Sequence, residues 1–198
     1  MRKLAILFGG AALLAACQTN PPPPPALPPV AVDPNNPLFA PGFLAQAGSA
    51  GQFEIQSSQM AQQMSQNVGV RNFANMMIAD HTRLAQAVGA AAASAGITPP
   101  PPGLLPADQA TLSQLGATGG GPNFDIAYKN AQIAGHQSAL VLMQNYAASG
   151  DVPALRAAAS RAIPVIQMHL QQAQMLNVTP VIPPPPPAPL PGRSGERG

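Results

Sequence analysis

The sequence predicts an all-α protein whose folded part is a four-helix bundle with one long crossover connection. Apolar residues recur every three or four positions along four separate stretches, a pattern typical of helices that bury one face. Short turns join the first stretch to the second and the third to the fourth, whereas a long connection separates the two pairs. No alternating strand pattern competes with these stripes.

The first predicted hairpin joins two helices through a turn at residues 67–69. The first helix carries apolar and small polar residues and one carboxylate on a single face: Phe43, Ala47, Ala50, Glu54, Ser57, Ser58, Ala61, Met64 and Val68. The second helix has a more apolar face: Phe73, Met77, Leu84, Val88, Ala91 and Ala95. Gly96 and the breaker Pro99–Pro102 predict where the second helix ends.

The crossover and the second hairpin follow. Leu104–Leu115 is a shorter helical candidate in the crossover, which ends at the glycines and proline of residues 119–122. A third helix is predicted over residues 123–148 and a fourth over residues 152–176, with a turn at residues 149–151. Two tight hairpins joined by one long crossover form the connectivity of ferritin-like bundles.

The N-terminal segment has the features of a bacterial export signal. Two basic residues precede an apolar stretch, and the string Leu14-Ala15-Ala16-Cys17 resembles a bacterial lipobox. The apolar stretch from residue 4 to residue 16 has 13 residues, fewer than the about 20 that a membrane-spanning helix needs. The resemblance implies a lipoprotein signal peptide over residues 1–16 and acylation of Cys17, palmitate included. A plain signal peptide with a free thiol is the alternative.

Acylation would make a lipid membrane the first partner of this protein, because several acyl chains on Cys17 anchor a protein stably. Gln18 follows the cysteine, where an aspartate would indicate retention in the inner membrane. By resemblance to enteric-type lipoprotein sorting we expect the periplasmic side of the outer membrane, with the inner membrane as the alternative.

Proline tracts divide the chain into parts. Residues 17–41 are expected to be a lipidated linker in extended polyproline II conformation, and residues 179–198 a disordered proline-rich tail. The bundle is expected between them, over residues 42–178, a normal size for a single core. The tracts are interpreted as spacers. Alternatively, they bind the aromatic groove of a partner protein in the envelope.

Charge excludes nucleic acid as a partner. The chain has nine Lys and Arg and seven Asp and Glu, and removal of Arg2 and Lys3 with the signal leaves seven of each sign. Neither a basic cluster nor interleaved aromatic residues occur in the sequence. With a single cysteine, Cys17, no intramolecular disulfide can form.

Several motifs resemble a known bacterial family. The motifs are Glu54-Ile55 with Ser57-Ser58, Phe73-Ala74 with Met77 and Asp80-His81, Phe124-Asp125 with Ala127-Tyr128 and His136, and Pro164 with His169-Leu170. Their order is similar to that in the ferritin-like family named domain of unknown function 4142. Members of that family are typically exported, often as lipoproteins, and the resemblance implies the fold without implying an activity.

Few side chains in the predicted bundle can bind a metal or transfer a proton, and these few define the candidate site. The predicted bundle contains one glutamate and three histidines, one to a helix: Glu54, His81, His136 and His169. Glu54 and His169 lie on apolar stripes, His81 borders its stripe, and the facing of His136 is open. An ionised carboxylate in an apolar core costs several kcal/mol, so Glu54 is expected to be protonated, paired with a histidine or bound to metal. Because imidazole and carboxylate suit Fe, Mn or Zn, a divalent metal is a possible cofactor of these four residues.

Helical counting argues against a compact site of this kind. It places Glu54 and His81 at the same height, but it separates His136 and His169 by roughly 7 to 8 Å along the bundle. A kink at Pro164 would be needed to close that gap. The residue three positions before each histidine is isoleucine, whereas di-iron bundles carry Glu-x-x-His, so a ferroxidase is disfavoured.

Three functional classes therefore stay open. The first is a non-enzymatic envelope lipoprotein without a cofactor, in which buried Glu–His hydrogen bonds fix the helix register and the bundle is structural or binds a partner. The second is a metal-binding bundle. Its copper variant would use the methionines, which at helical spacing more often fill a core. The third is a small-molecule binder that uses the alanine-rich core.

Two aspartates have structural interpretations. Asp80 and Arg83 are interpreted as a surface pair three residues apart, and Asp125 as an acid in the first turn of the third helix, where the helix dipole favours it. The sequence contains neither a Gly-x-Ser-x-Gly elbow nor a phosphate-binding loop, so hydrolase and nucleotide chemistry are not supported.

Overall fold

The computed structural model describes residue 33 and residues 35–178. The predicted signal peptide, Cys17, most of the predicted linker and the predicted C-terminal tail lie outside these residues. Within the described part the chain forms five helices and no strand: α1 (Ala40–Met64), α2 (Val68–Ser94), α3 (Pro106–Gly116), α4 (Gly121–Ser149) and α5 (Pro153–Met175). The predicted all-α fold is confirmed.

The four long helices form a closed bundle. Helix α1 packs on α2 and α4, and α5 packs on the same two helices, so each long helix has two neighbours. The short α3 lies in the crossover and covers α1 and α4. The predicted four-helix bundle with one crossover agrees with this arrangement. Among the described residues, no helix combines the length and the hydropathy that crossing a membrane requires.

Helix α1 begins two residues before the predicted start of the bundle. Pro41 lies in its first turn, where a missing backbone N–H costs nothing, so this proline starts the helix rather than ending a linker. The preceding segment packs tightly on the helix, because a Cβ atom on Gly42 would lie 2.3 Å from the backbone oxygen of Asn36. Asp151 also donates a backbone hydrogen bond of 3.1 Å to Leu38.

The turn between α1 and α2 differs from the predicted one. Asn67 is the N-cap of α2, and its side-chain oxygen accepts hydrogen bonds from the backbone of Gly69 at 2.8 Å and Val70 at 3.3 Å. Val68, predicted on the buried stripe of the first helix, is therefore the first residue of α2 and is 62% exposed. At the other end of α2, Gly96 adopts a φ of 70° and terminates the helix as predicted.

The core consists of two apolar clusters stacked along the bundle. One surrounds the stacked rings of Phe43 and Tyr146, and the other surrounds Phe73 and Tyr128. On α2, α4 and α5, residues at one end of the helix belong to one cluster and residues at the other end belong to the second. A polar layer lies between the two sets on each of these helices. This polar layer contains all the predicted site residues.

Candidate metal centre

Four helices each contribute one residue to the polar layer. Glu54 comes from α1, His81 from α2, His136 from α4 and His169 from α5. All four are buried, with exposed fractions of 3%, 7%, 1% and 0% respectively. The burial of Glu54 and His169 is as predicted, and His136, whose facing the sequence left open, also faces the core.

The three histidines converge on one point. The ring centroids of His81 and His136 lie 5.6 Å apart, those of His81 and His169 5.3 Å, and those of His136 and His169 5.4 Å. Each ring offers a nitrogen, and the three nitrogens lie within 4.8 Å of one another. The cluster is therefore a set of three imidazole donors at one level of the bundle.

The height mismatch predicted for His136 and His169 is wrong, for two physical reasons. Helix α4 ends at Ser149 and α5 begins at Pro153, so the two histidines stand 13 and 16 residues from their own ends of the turn. The remaining three residues correspond to about 4.5 Å of helix rise. Side chains on a helix also lean toward its N-terminus. His136 therefore leans away from this turn and His169 leans toward it, which closes the gap.

Hydrogen bonds fix the orientation of two of the rings. His136 donates from Nδ1 to the backbone oxygen of Gln132 at 2.7 Å, since a carbonyl can only accept. His169 donates from Nε2 to a carboxylate oxygen of Asp80 at 2.9 Å. A neutral ring that donates in this way carries its lone pair on the other nitrogen, which is Nε2 in His136 and Nδ1 in His169. Carboxylates and backbone carbonyls behind histidines orient metal ligands in the same way.

The remaining nitrogens have no protein partner. His81 Nε2, His136 Nε2 and His169 Nδ1 are buried, and no described protein group forms a hydrogen bond with any of them. An unsatisfied buried polar atom costs about 1–3 kcal/mol. The polar layer thus carries three such costs at the place where its three histidines meet.

Burial and neighbouring charge keep two of the three imidazoles neutral. Burial, with the neighbouring His136 and His169, lowers the pKa of His81 to about 3. Burial is also the main cause that lowers the pKa of His136 to about 4, although its bond to Gln132 opposes the shift. Neutral imidazole is the form that binds metal, so these two rings are in their ligating form at neutral pH.

Asp80 is more than the predicted surface pair with Arg83. The pair exists, but the carboxylate is only 15% exposed and also accepts the bond from His169. Partial burial raises the pKa of Asp80, but the bonds from His169 and Arg83 outweigh it, and the net pKa is lowered. A charged carboxylate therefore stands behind one imidazole, and sequence reasoning assigned it no part in the site.

Glu54 lies beside the cluster rather than within it. Its Oε1 atom is 3.5 Å from Nδ1 of His136, but that N–H is already donated to the Gln132 carbonyl. Oε2 is buried without a hydrogen-bond partner. Burial raises the pKa of Glu54 well above its ordinary value, with a smaller opposing effect from the Gln132 side chain. Of the predicted four ligands, the structure brings the three histidines together and leaves Glu54 behind one of them.

A hydrogen-bonded layer below the histidines links α1 with α4. Gln132 donates to the Ser57 hydroxyl at 3.0 Å, and the Ser58 and Tyr128 hydroxyls are 2.7 Å apart. Sequence reasoning missed Gln132, although a glutamine one helical turn before His136 lies on the same helix face and is a signal that could have identified it. The layer holds α4 in place beneath the ring of His136.

Two other predictions fare differently. Asp125 lies beyond the first turn of α4, which contains no acid, and it is buried instead of facing solvent. The methionines are divided between the two apolar clusters and the surface: Met143 lies in one cluster, Met60, Met64, Met76 and Met77 lie in or against the other, and Met168 and Met175 are 40% and 74% exposed. The described methionines act mainly as core and surface packing.

Comparison with known proteins gives one match. The family model described as domain of unknown function (DUF4142) matches residues 26–176, which includes all five helices and the whole polar layer. No curated protein matches the chain, and no solved structure does.

Proposed function

Because this chain belongs to the family of domain of unknown function DUF4142, whose description assigns no activity, we propose its function from its own residues. The bundle binds one divalent transition-metal ion through His81, His136 and His169. The observation that carries this proposal is the convergence of three buried imidazoles, each with one ring nitrogen that no described protein group satisfies. A metal ion would satisfy all three at once, whereas a purely structural hydrogen-bond network would pair them with one another or with neighbours.

The donor set favours zinc. Imidazole suits Zn, Cu, Fe and Ni, while Mn prefers the carboxylate ligands that are not in direct reach here. Tetrahedral zinc with bonds of about 2.0–2.1 Å holds its ligand nitrogens roughly 3.3 Å apart. The nitrogens of this site, within 4.8 Å of one another, would have to approach by about 1.5 Å at most. Small rotations of three side chains supply a movement of that size.

Nearby carboxylates supply compensating charge. A dication held by three neutral rings leaves two uncompensated positive charges in a buried layer, which is costly. Asp80 stands behind His169, and Glu54 stands 3.5 Å from His136. Asp80 supplies one negative charge, and Glu54, whose pKa burial raises, would supply the second by losing its proton when the ion binds.

Three protein ligands leave a tetrahedral ion with one further position. This is the ligand count of a site that can also bind a small molecule, and it differs from the carboxylate-rich di-iron set that the sequence already disfavoured. The proposal is therefore a mononuclear centre.

Metal analysis tests the proposal directly. The full-length chain, purified without chelator or stripped and reloaded with Zn²⁺ or Co²⁺, should retain about one ion per chain after gel filtration. His81→Ala, His136→Ala and His169→Ala should each lose it. Tyr128→Phe is the matched control, because it breaks the Ser58–Tyr128 contact in the hydrogen-bonded layer next to the histidines and removes no ligand. The Co²⁺ form adds a visible spectrum that reports tetrahedral nitrogen coordination.

The competing function is structural or partner-binding. It is favoured by the two rings that already hydrogen-bond Gln132 and Asp80. A stripped protein that stays folded and binds none of Zn²⁺, Co²⁺, Fe²⁺, Mn²⁺ or Cu⁺ at micromolar concentration would rule out the metal site and leave this function.

Anchoring in the cell envelope is a separate proposal. It rests on the resemblance of Leu14-Ala15-Ala16-Cys17 to a lipobox, in a segment outside the described residues. Expression in a bacterial host should incorporate labelled palmitate into the chain, and Cys17→Ser should abolish incorporation. Recovery of unlabelled wild-type protein from the soluble fraction would contradict it.

A further inference from the structure

A cavity of about 500 Å³ opens beside the histidine cluster. Its walls come from α1, from α2 and from the proline-rich segment of residues 99–105, and its floor includes residues of α4 and α5. Contributions from this many elements make it a pocket in the bundle rather than a flat apolar face. Its volume lies in the range of about 300–1,000 Å³ that is usual for small-molecule sites.

Glycines keep the pocket open. Gly48, Gly51 and Gly89 line it from the interior of α1 and α2, and a Cβ atom on any of them would meet nothing within 4 Å. Glycine inside a helix costs about 0.5–1 kcal/mol relative to alanine, so alanine would fit and stabilise each position. The sequence forgoes that stability at the positions that border the cavity, which indicates that the empty volume itself has a use.

The chemistry of the walls defines the ligand. The lining contains no Asp, Glu, Lys or Arg and is formed mainly by Ala, Leu, Ile, Val and Pro side chains. The Ser49 hydroxyl is already engaged, accepting a bond from the Leu105 backbone at 2.7 Å and donating to Asp108. A charged ligand would lose its hydration here without gaining a counter-ion.

The lining has three polar residues, Ser49, Gln52 and His81. His81 is buried, with a residue exposure of 7%, and its Nε2 atom has no protein partner. It also belongs to the three-histidine cluster, so the cavity borders the proposed metal centre.

We infer that this cavity is a binding site for an uncharged, mostly hydrocarbon small molecule that carries a single hydrogen-bonding group, with that group directed toward His81. The inference goes beyond metal binding and does not require it, because the walls and the volume are formed by the helices and by residues 99–105. It explains the three open glycines and the charge-free lining together.

The test uses N-phenyl-1-naphthylamine, a neutral aromatic probe that fluoresces in apolar surroundings, with the full-length chain carrying Cys17→Ser so that no acyl chain competes. One saturable site is expected. Gly89→Leu, which fills the cavity, should weaken binding at least tenfold. Ala90→Leu is the matched control, because Ala90 is exposed on the same helix and does not line the cavity. Gly51→Leu repeats the test from α1 if Gly89→Leu does not fold.

Competition identifies the ligand class. Decan-1-ol should displace the probe, whereas decanoate and decyltrimethylammonium, with the same chain and a charge of either sign, should be at least tenfold weaker. Equal binding by Gly89→Leu and Ala90→Leu, or equal competition by all three compounds, would overturn the inference. If the protein dimerises and the dimer no longer binds the probe, a second copy occupies the cavity and the inference is also overturned. Titrations are run on stripped and Zn²⁺-loaded protein, so a chain that binds the probe but no metal refutes only the proposed metal centre.

Discussion

Removal of the charge behind His169 should weaken the metal centre without unfolding the bundle. Asp80 accepts the Nε2 hydrogen of His169 at 2.9 Å, and its side chain is only 15% exposed. Asp80→Asn can still accept that hydrogen bond but lacks the charge, while Asp80→Ala removes both. Loss of such an outer partner weakens metal binding by about 10–100-fold, equivalent to about 1.4–2.8 kcal/mol. We therefore expect about tenfold weaker Zn²⁺ binding for Asp80→Asn and nearer 100-fold for Asp80→Ala.

The assay is a competitive Zn²⁺ titration against a chromophoric chelator, with circular dichroism on the stripped proteins to confirm folding. Arg83→Gln is the control, because Arg83 is 71% exposed and contacts Asp80 without touching His169. An exposed ion pair contributes about 0–1 kcal/mol, so this variant should bind Zn²⁺ within about threefold of the wild type. Equal affinities for Asp80→Ala and wild type would refute the assignment of Asp80 as the residue that orients His169.

Three further predictions concern the stripped protein. Burial raises the pKa of Glu54, so the protein loses stability as pH rises from about 4.5 toward the folded-state pKa of this group. Glu54→Gln should therefore melt at or above the wild-type temperature at pH 7. Glu54→Ala should lose about 2 kcal/mol through a cavity. In the Glu54→Gln background the lowered pKa values of His81 and His136 let the unfolded chain bind more protons below pH 6.5, so thermal melts should show stability falling toward pH 4.5, by up to about 3 kcal/mol per histidine. A flat profile would contradict their burial. Gly135→Ala places a Cβ atom 2.8 Å from Glu54 Oε1, so the end of the buried Glu54 side chain must shift, and urea unfolding should show less stabilisation than for Gly89→Ala, which meets nothing within 4 Å and should stabilise by about 0.5–1 kcal/mol.

The helices could be read from the sequence because their ends carry strong local signals. Pro106, Pro122 and Pro153 lie in the first turns of α3, α4 and α5, and Gly96 ends α2 with a positive φ. These residues act through their own backbone, so no tertiary information is needed to place them. Val68 is placed wrongly because the apolar pattern alone predicts a continuing stripe, whereas the Asn67 side chain caps a new helix at this point.

The site could be read only in part. Helical periodicity predicts that Glu54 and His169 face the core, because facing depends on the angle around one helix. Whether two side chains meet depends on how far each leans along its axis and on where each helix ends, and these quantities come from the packed bundle. Counting residues from a turn therefore separated His136 from His169, whose ring centroids lie 5.4 Å apart.

The dipeptide Asp80-His81 shows why the missing di-iron motif does not argue against a metal. Neighbours on a helix point about 100° apart, so His81 can face the other two imidazoles while Asp80 faces α5 and holds His169. In the proposed centre three helices would supply one ligand each, and an adjacent residue on one of them would orient the ligand of another. A motif search tests for carboxylates that bind the ion themselves. Here the carboxylates stand behind the imidazoles, and that role requires proximity across helices, which no spacing along a single helix encodes.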